Sequence, residues 1–427
     1  MSLRLLALYI IVPIVVVGIF RNPFIGIPFI AIYHSWRPDM WGAPSFFRPE
    51  FIITASLLLG IFIKTDNVNI KKMNGLFIVF FILSLWLLIN SRNAVVSENV
   101  AFEYSVRYFK VILVFFIFGC LVNSIQKVYI FYWALIGGLL WLSKSIFWQY
   151  FVEGRSRVDP LGGGGGGGNA IATELCMTLP FLLMIYFERE GREKWIAALL
   201  IGVWIIDFIA IASRGAFIAA LMVLILFFIK TQYKKEILIY VFIGLMLSSF
   251  VVPKFFLERM NTIVEYEEDA SAMSRLDLWN AGIDMFVTHP IYGVGTQNFK
   301  LLAKKYSDSN LIPEGGLVAH NSYIEIMAEN GLPGILLYLS GLCYAFIILR
   351  RLRSKFKAED SEKGIWLTHS IEIALVAFIV RGMTGSNYTN EVFIYFIGVV
   401  SGMYNHNLRS VIPSNQIVIN LNTTVAF

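Results

Sequence analysis

The sequence predicts an all-α, polytopic transmembrane bundle of about 12–13 spans, with one large extracytoplasmic loop that contains amphipathic helices. Composition is the first reason: 57% of 427 residues are hydrophobic and 15% charged, where soluble chains carry roughly a quarter charged residues. The second is that the mean hydropathy is +0.68, with apolar runs near the length needed to span hydrocarbon recurring along almost the whole chain. The third is the placement of lysine and arginine in short loops between these runs, as in the cytoplasmic loops of membrane proteins. The net charge of +6 therefore calls for no nucleic-acid partner, and the surrounding membrane lipids are the expected contacts.

Read in order, the apolar runs cover 3–20, 23–35, 51–63, 75–90, 108–122, 128–150, 170–187, 195–212, 215–229, 236–252, 330–349, 366–383 and 391–406. The first two count as one if the chain breaks around Arg21-Asn22-Pro23. No small-residue cleavage site separates them, so the N-terminal run is expected to stay in the mature protein. The expected divisions are N-terminal transmembrane helices over 1–252, the extracytoplasmic loop over 253–329, C-terminal transmembrane helices over 330–406, and a cytoplasmic tail over 407–427. Cys120, Cys176 and Cys343 lie in apolar segments without ligand-like spacing, which predicts packing residues and neither disulfides nor a zinc site.

The basic segments 350–363 and 230–235 set the orientation, both cytoplasmic by the positive-inside rule. Parity then puts 64–74 and 188–194 on the same face. On the opposite face fall 91–107, 151–169, Ser213-Arg214-Gly215, 253–319 and the 384–390 turn, so every candidate functional residue collects on one side.

Gly162–Gly168 reads as a flexible outer loop, because ordering glycine carries the largest backbone entropy cost. A phosphate-cradling loop fits less well, since no strand precedes it and no Lys-Ser/Thr follows. Glu258, Glu265, Glu267, Glu268 and Asp269 lack the spacing and turn glycines of a calcium loop and read as a solvated acidic face. Ser274 is then a plausible helix N-cap. Leu276, Trp279, Ile283 and Phe286 form the apolar stripe of an amphipathic helix on the membrane surface, ended by His289-Pro290, and Gly293-Val-Gly295 makes a tight turn.

Ala319-His320-Asn321-Ser322-Tyr323 reads as a helix start capped by Asn321 or Ser322, interrupted at Gly331-Leu-Pro333-Gly334. His320, Tyr323, Ile324 and Met327 are expected on one face, with free N–H groups at the helix N-terminus available to a phosphate. Arg214, between IIDFIAIAS and GAFIAALMVLILFF, must sit at a very short turn or within the membrane, where a charge is costly. Snorkelling is the bland alternative to gripping a phosphate through its planar fork. Arg381, at the outer end of the next-to-last span, is a third cation of this kind.

The SRGA turn, the R-x-x-x-W helix leading to H-P-x-x-G-V-G-x-x-N-F, and A-H-N-S-Y…E-N-G-L-P-G resemble the O-antigen ligase and polymerase superfamily, over about 195–345. The opening R-N-P-F-I-G is similar to the O-glycosylation ligases associated with exosortase systems. The seven-glycine loop has no match in the family pattern. The resemblance implies a metal-independent, cofactor-free glycosyltransferase in the bacterial inner membrane with its site facing the periplasm. It would move a glycan from a polyprenyl diphosphate carrier to an acceptor hydroxyl on lipid A-core, protein or another glycan. The resemblance puts catalytic roles on Arg214, Arg275 and His320. Substrate contacts are expected from Arg214, Arg275, Asn321, Tyr323 and Arg381, with His320 near its ordinary pKa of about 6.5 serving as base or, alternatively, only orienting the diphosphate. A polysaccharide polymerase of the same superfamily is the first alternative and a lipid-linked sugar flippase the second. Paired internal repeats, which transporters usually show, are absent from the sequence.

Overall fold

The computed structural model describes residues 3–36, 48–63, 73–159, 167–261 and 270–406. Among them the chain is helical throughout, without strands. The helices are α1 (Leu3–Arg21), α2 (Gly26–Trp36), α3 (Pro49–Ile63), α4 (Gly75–Asn90), α5 (Glu98–Leu121), α6 (Ile125–Phe147), α7 (Gly167–Glu188) and α8 (Gly191–Ile211). They continue with α9 (Arg214–Lys230), α10 (Lys234–Val251), α11 (Lys254–Asn261), α12 (Ala270–Thr288), α13 (Phe299–Leu302), α14 (Ser322–Ala358), α15 (Glu362–Gly382) and α16 (Glu391–Asn405). Each apolar run expected from the sequence coincides with a helix. Seven helices, α4 to α8, α14 and α15, are long and apolar enough to cross a membrane, and the molecule is a multi-pass membrane protein.

The run expected over 23–35 is shorter than a span. Asn22 breaks the chain after α1 by accepting the Phe24 N–H on its side chain at 3.2 Å. A 3-10 turn over Pro23–Ile25 follows, leaving α2 with 11 residues. At about 1.5 Å per residue that helix falls well short of the ~30 Å of hydrocarbon. It lies against α6, while α1 packs on α3.

The central layers are α5 against α16, α7 against α15, α15 against α9, and α4 against α14. Their core is aromatic: Phe378 and Phe393 stack at 4.1 Å, and Tyr132 and Phe181 at 4.4 Å. The α9–α15 pair shows how charge is divided along the bundle. At one end Gly215 abuts Arg381 and Thr384. At the other, Lys230 Nζ lies 3.1 Å from Glu372, which also pairs with Arg353 of the basic segment after α14.

Residues between α12 and α14 explain the glycine- and asparagine-rich motif. The chain after α12 is clamped backbone to backbone on the last turn before the α14 kink, Val294 N–H to Ala328 O at 2.8 Å and Gly295 N–H to Glu329 O at 2.9 Å. Buried Asn298 ties the same loop to the start of α5, accepting the Ser97 N–H at 2.8 Å. Gly331, at φ 64° and ψ −167°, divides α14 into a short limb before the kink and a long one after it. A Cβ there would come within 2.1 Å of the Ile291 carbonyl oxygen. Gly331→Ala is accordingly expected to cost about 1–3 kcal/mol through the left-handed φ and the clash. An unchanged melting temperature of the purified variant would refute this.

Other local expectations need correction. Ser274 is not the cap of α12, which begins four residues earlier; its hydroxyl donates to Ser271 O within the helix. The face α12 buries is Leu278, Ala281, Gly282 and Met285, against α14. Small residues are needed there, since a Cβ on Gly282 would lie 2.4 Å from Ile324. The stripe Leu276, Trp279, Ile283 and Phe286 stays partly or fully exposed. Gly167 and Gly168, read as loop, open α7, with the Gly168 N–H donating to Asp159. Gly162–Gly166, the acidic residues 265–269, the segment 64–72 and the tail 407–427 lie outside the described residues.

Candidate functional site: a charged cavity at the start of α14

The α8–α9 junction is as short as the sequence required. Ala212, at φ 49°, ends α8 in left-handed backbone, and Arg214 is the first residue of α9. Arg214 therefore sits at a turn and not inside a helix. Its Nη2 donates to Ser271 Oγ at 3.3 Å, at the start of α12. Arg275 lies one turn further along α12.

His320 precedes the Asn321 cap with φ 51°, and that departure from helical backbone turns its ring away from the face expected for it. Tyr323, Ile324 and Met327 line a separate apolar pocket between α14 and α15, whereas His320 lines a cavity of about 400 Å³. The histidine is held from both sides, its N–H donating to Ser386 Oγ at 3.2 Å and Trp279 Nε1 donating to the neighbouring Ala319 carbonyl at 3.1 Å. Ser322 completes the attachment by donating to Gly385 O at 2.8 Å and accepting the Asn387 N–H at 2.7 Å.

Two of the expected substrate contacts are engaged in holding the fold. Asn321 Oδ1 accepts the Tyr323 and Ile324 N–H groups at 3.0 and 3.3 Å, so those helix donors are not open to a phosphate as the sequence suggested. Tyr323 donates its hydroxyl to Ile379 O at 2.8 Å.

Arg381 is more central than its sequence context indicated. It is 2% exposed, lines the cavity with His320, and donates through Nη1 to Thr384 Oγ1 at 2.8 Å and through Nη2 to Asn169 O at 3.4 Å. Its Nε has no hydrogen-bond partner among the described residues. Both Arg275 and Arg381 act electrostatically on His320. Burial first, then Arg275, then Arg381 push its pKa down from 6.5 to about 4, because each disfavours the imidazolium. The sequence-based value near 6.5 is thus corrected, and the ring is neutral at neutral pH.

The structure therefore brings Arg275, Arg381 and His320 together. Arg214 stands beside them, one residue from the Gly215 that abuts the Arg381 guanidinium. The remaining lining of the cavity was missed by sequence reasoning: His34 from α2, Tyr104 and Arg107 from α5, Glu325 from α14, Glu391 from α16. One signal was available. Glu174, fully buried behind His34, stands within the apolar run 170–187, and an ionisable residue inside a span marks function by default. Beyond His34, Tyr104, Arg107, Val111 and Glu391, which line both, a larger groove of about 1140 Å³ runs between α2, α3 and α5, walled mainly by residues such as Phe29, Phe51, Leu58 and Phe109.

No curated protein matches the chain. Residues 195–339, about a third of the chain, match the family model described as O-antigen ligase. That segment carries Arg214, Arg275 and His320, and the match supports the resemblance of this multi-pass membrane protein to the O-antigen ligase/polymerase superfamily.

Proposed function

We propose that the protein transfers a glycan from a polyprenyl diphosphate carrier to an acceptor hydroxyl, on the extracytoplasmic face of the bacterial inner membrane. The observation that carries this is His320 and the Arg381 guanidinium lining one cavity, with Arg275 near enough to act on the charge of the His320 ring. A leaving diphosphate needs positive charge already in place where its own charge develops, and arginine supplies that charge in a bidentate geometry without deprotonating. Arg214, next in sequence to the Gly215 that abuts Arg381, extends the cationic patch toward the second phosphate. The apolar groove between α2, α3 and α5 has the character that a lipid chain requires.

The reaction is a single inverting displacement. The acceptor oxygen attacks the anomeric carbon while the bond to the carrier phosphate breaks, and the diphosphate leaves with the bonding pair. The acceptor proton goes to a ring nitrogen of His320. A bound diphosphate offsets the two guanidiniums and so raises the basicity of His320 when it is needed. The loop over 253–329 is the outer element that delivers Arg275 and His320 to the membrane surface.

The test is reconstitution of the purified chain in liposomes with lipid-linked glycan from the source membranes, a hydroxyl acceptor and no added energy source. A new glycosidic bond, detected by mass spectrometry and lost in His320→Ala, supports the reading. Movement of the donor across the bilayer with no new bond would overturn it in favour of transport.

A further inference from the structure

The cavity that holds His320 has a second set of lining residues, which includes the carboxyl groups of Glu325 and Glu391. His34 is 4% exposed and sits between two carboxylates, Nε2 2.9 Å from Glu174 Oε1 and Nδ1 3.2 Å from Glu391 Oε2. Arg107 Nη2 donates to the other Glu391 oxygen at 2.9 Å. Both ring nitrogens of His34 hydrogen-bond at once only if the ring is doubly protonated or one of the carboxyls carries a proton. The set thus holds one proton more than a neutral imidazole between two carboxylates. Four helices far apart in sequence, α2, α5, α7 and α16, meet in this network, and it fixes the Glu391 carboxylate at the cavity wall. None of its members lies in the segment matched by the family model.

Two further polar atoms in the same wall have no hydrogen-bond partner among the described residues. Glu325 is 2% exposed and its Oε2 is buried without a hydrogen bond, and the Asn387 side-chain amide nitrogen is likewise unpaired. Both residues line the cavity. The wall thus carries an unpaired acceptor and an unpaired donor, and the ring of Tyr104 and the side chain of Asn390 line the same cavity. The Glu391 carboxylate repels a diphosphate, and an apolar chain would strand these polar groups. A hydroxyl donates and accepts, so it satisfies both kinds, and an aromatic face beside them suits the C–H face of a sugar ring. The cavity is within the roughly 300–1,000 Å³ of small-molecule sites.

We propose that this carboxylate-bearing wall is a sugar subsite, in which Glu391, held by His34 and Arg107, and Glu325 accept hydrogen bonds from the hydroxyls of an uncharged sugar ring. The inference rests on the glycan-transfer reading and adds the class of ring. An acidic sugar would set its own carboxylate against that of Glu391, and a neutral one is held next to the cations that bind its diphosphate. The ring comes either from the donor or from the acceptor.

The experiment uses the full chain in lipid nanodiscs and two probes, a sugar-free polyprenyl diphosphate and the same lipid diphosphate bearing one N-acetylglucosamine. If the ring is the donor's, Glu391→Gln leaves the sugar-free probe within about twofold and weakens the sugar-bearing probe about tenfold or more. If it is the acceptor's, both probes bind as in the wild type, and the acceptor KM in the transfer assay rises about tenfold with little change in kcat. Equal weakening of both probes, or no change in either affinity or in acceptor KM, overturns the proposal. Asn387→Ala removes an amide nitrogen with no protein partner and should repeat the pattern more weakly; it decides the matter if Glu391→Gln does not fold. Failure of the diphosphate reading itself would show separately, as unaltered binding of the sugar-free probe by Arg275→Ala.

Discussion

Replacing His320 by glutamine is expected to lower kcat for glycan transfer about 10²- to 10⁴-fold, the usual contribution of a positioned general base. Glutamine keeps a polar side chain of similar reach and removes the titrating nitrogen. The pH profile identifies the role. In the free protein burial, Arg275 and Arg381 hold the His320 pKa near 4, so the acid limb of kcat/KM, which reports the free enzyme, should fall close to that value. The acid limb of kcat should lie higher, because bound diphosphate opposes the two guanidiniums. A His320→Gln variant that retained activity and the wild-type acid limb would exclude proton acceptance by this ring. The same shift acts on stability. The folded pKa lies below the value of about 6.5 in the unfolded chain, so between the two the unfolded chain binds more protons. This contribution to stability is present above about 6.5 and is lost as the pH falls toward 4. The melting temperature of the wild type should therefore drop over that window by more than that of His320→Gln.

Removing a guanidinium that acts on His320 is the second large effect. Arg275→Ala is expected to lower kcat about 10²- to 10³-fold, as for the loss of a preorganised group facing developing negative charge. It should also move the acid limb of kcat/KM upward, because a cation that depresses the His320 pKa is gone. Arg381→Ala should act in the same direction and cost stability as well, since it deprives Thr384 and the Asn169 carbonyl of their partner. Arg381→Lys restores the charge without the fork and should recover only part of the rate. Full activity in Arg275→Ala, with an unmoved acid limb, would show that the diphosphate is neutralised elsewhere.

Much of the fold was legible because hydrophobic length and helix breakers are local properties. The runs around 75–90, 195–212 and 366–383 appear as α4, α8 and α15 with small shifts at the ends. What the local pattern left open was set by tertiary contacts. The stripe Leu276, Trp279, Ile283 and Phe286 stays partly or fully exposed, and α12 packs through Ala281 and Gly282 because only small residues let it approach α14 closely. Asn321 and Tyr323, expected to contact substrate, also hold the fold, since their polar atoms cap α14 and tie it to α15.

By itself the sequence determined that the chain is a helical membrane protein, where its helices start and break, and which segment carries the arginine and histidine motifs. These follow from local composition, from glycine and proline, and from the cost of placing charge in hydrocarbon. Only the tertiary structure decided that Arg381 joins Arg275 at His320 while Arg214 stands to the side, that the His320 pKa falls to about 4, and that His34, Arg107, Glu174 and Glu391 meet at one wall. Those outcomes depend on which faces of helices hundreds of residues apart come into contact, and no local pattern of residues encodes that distance.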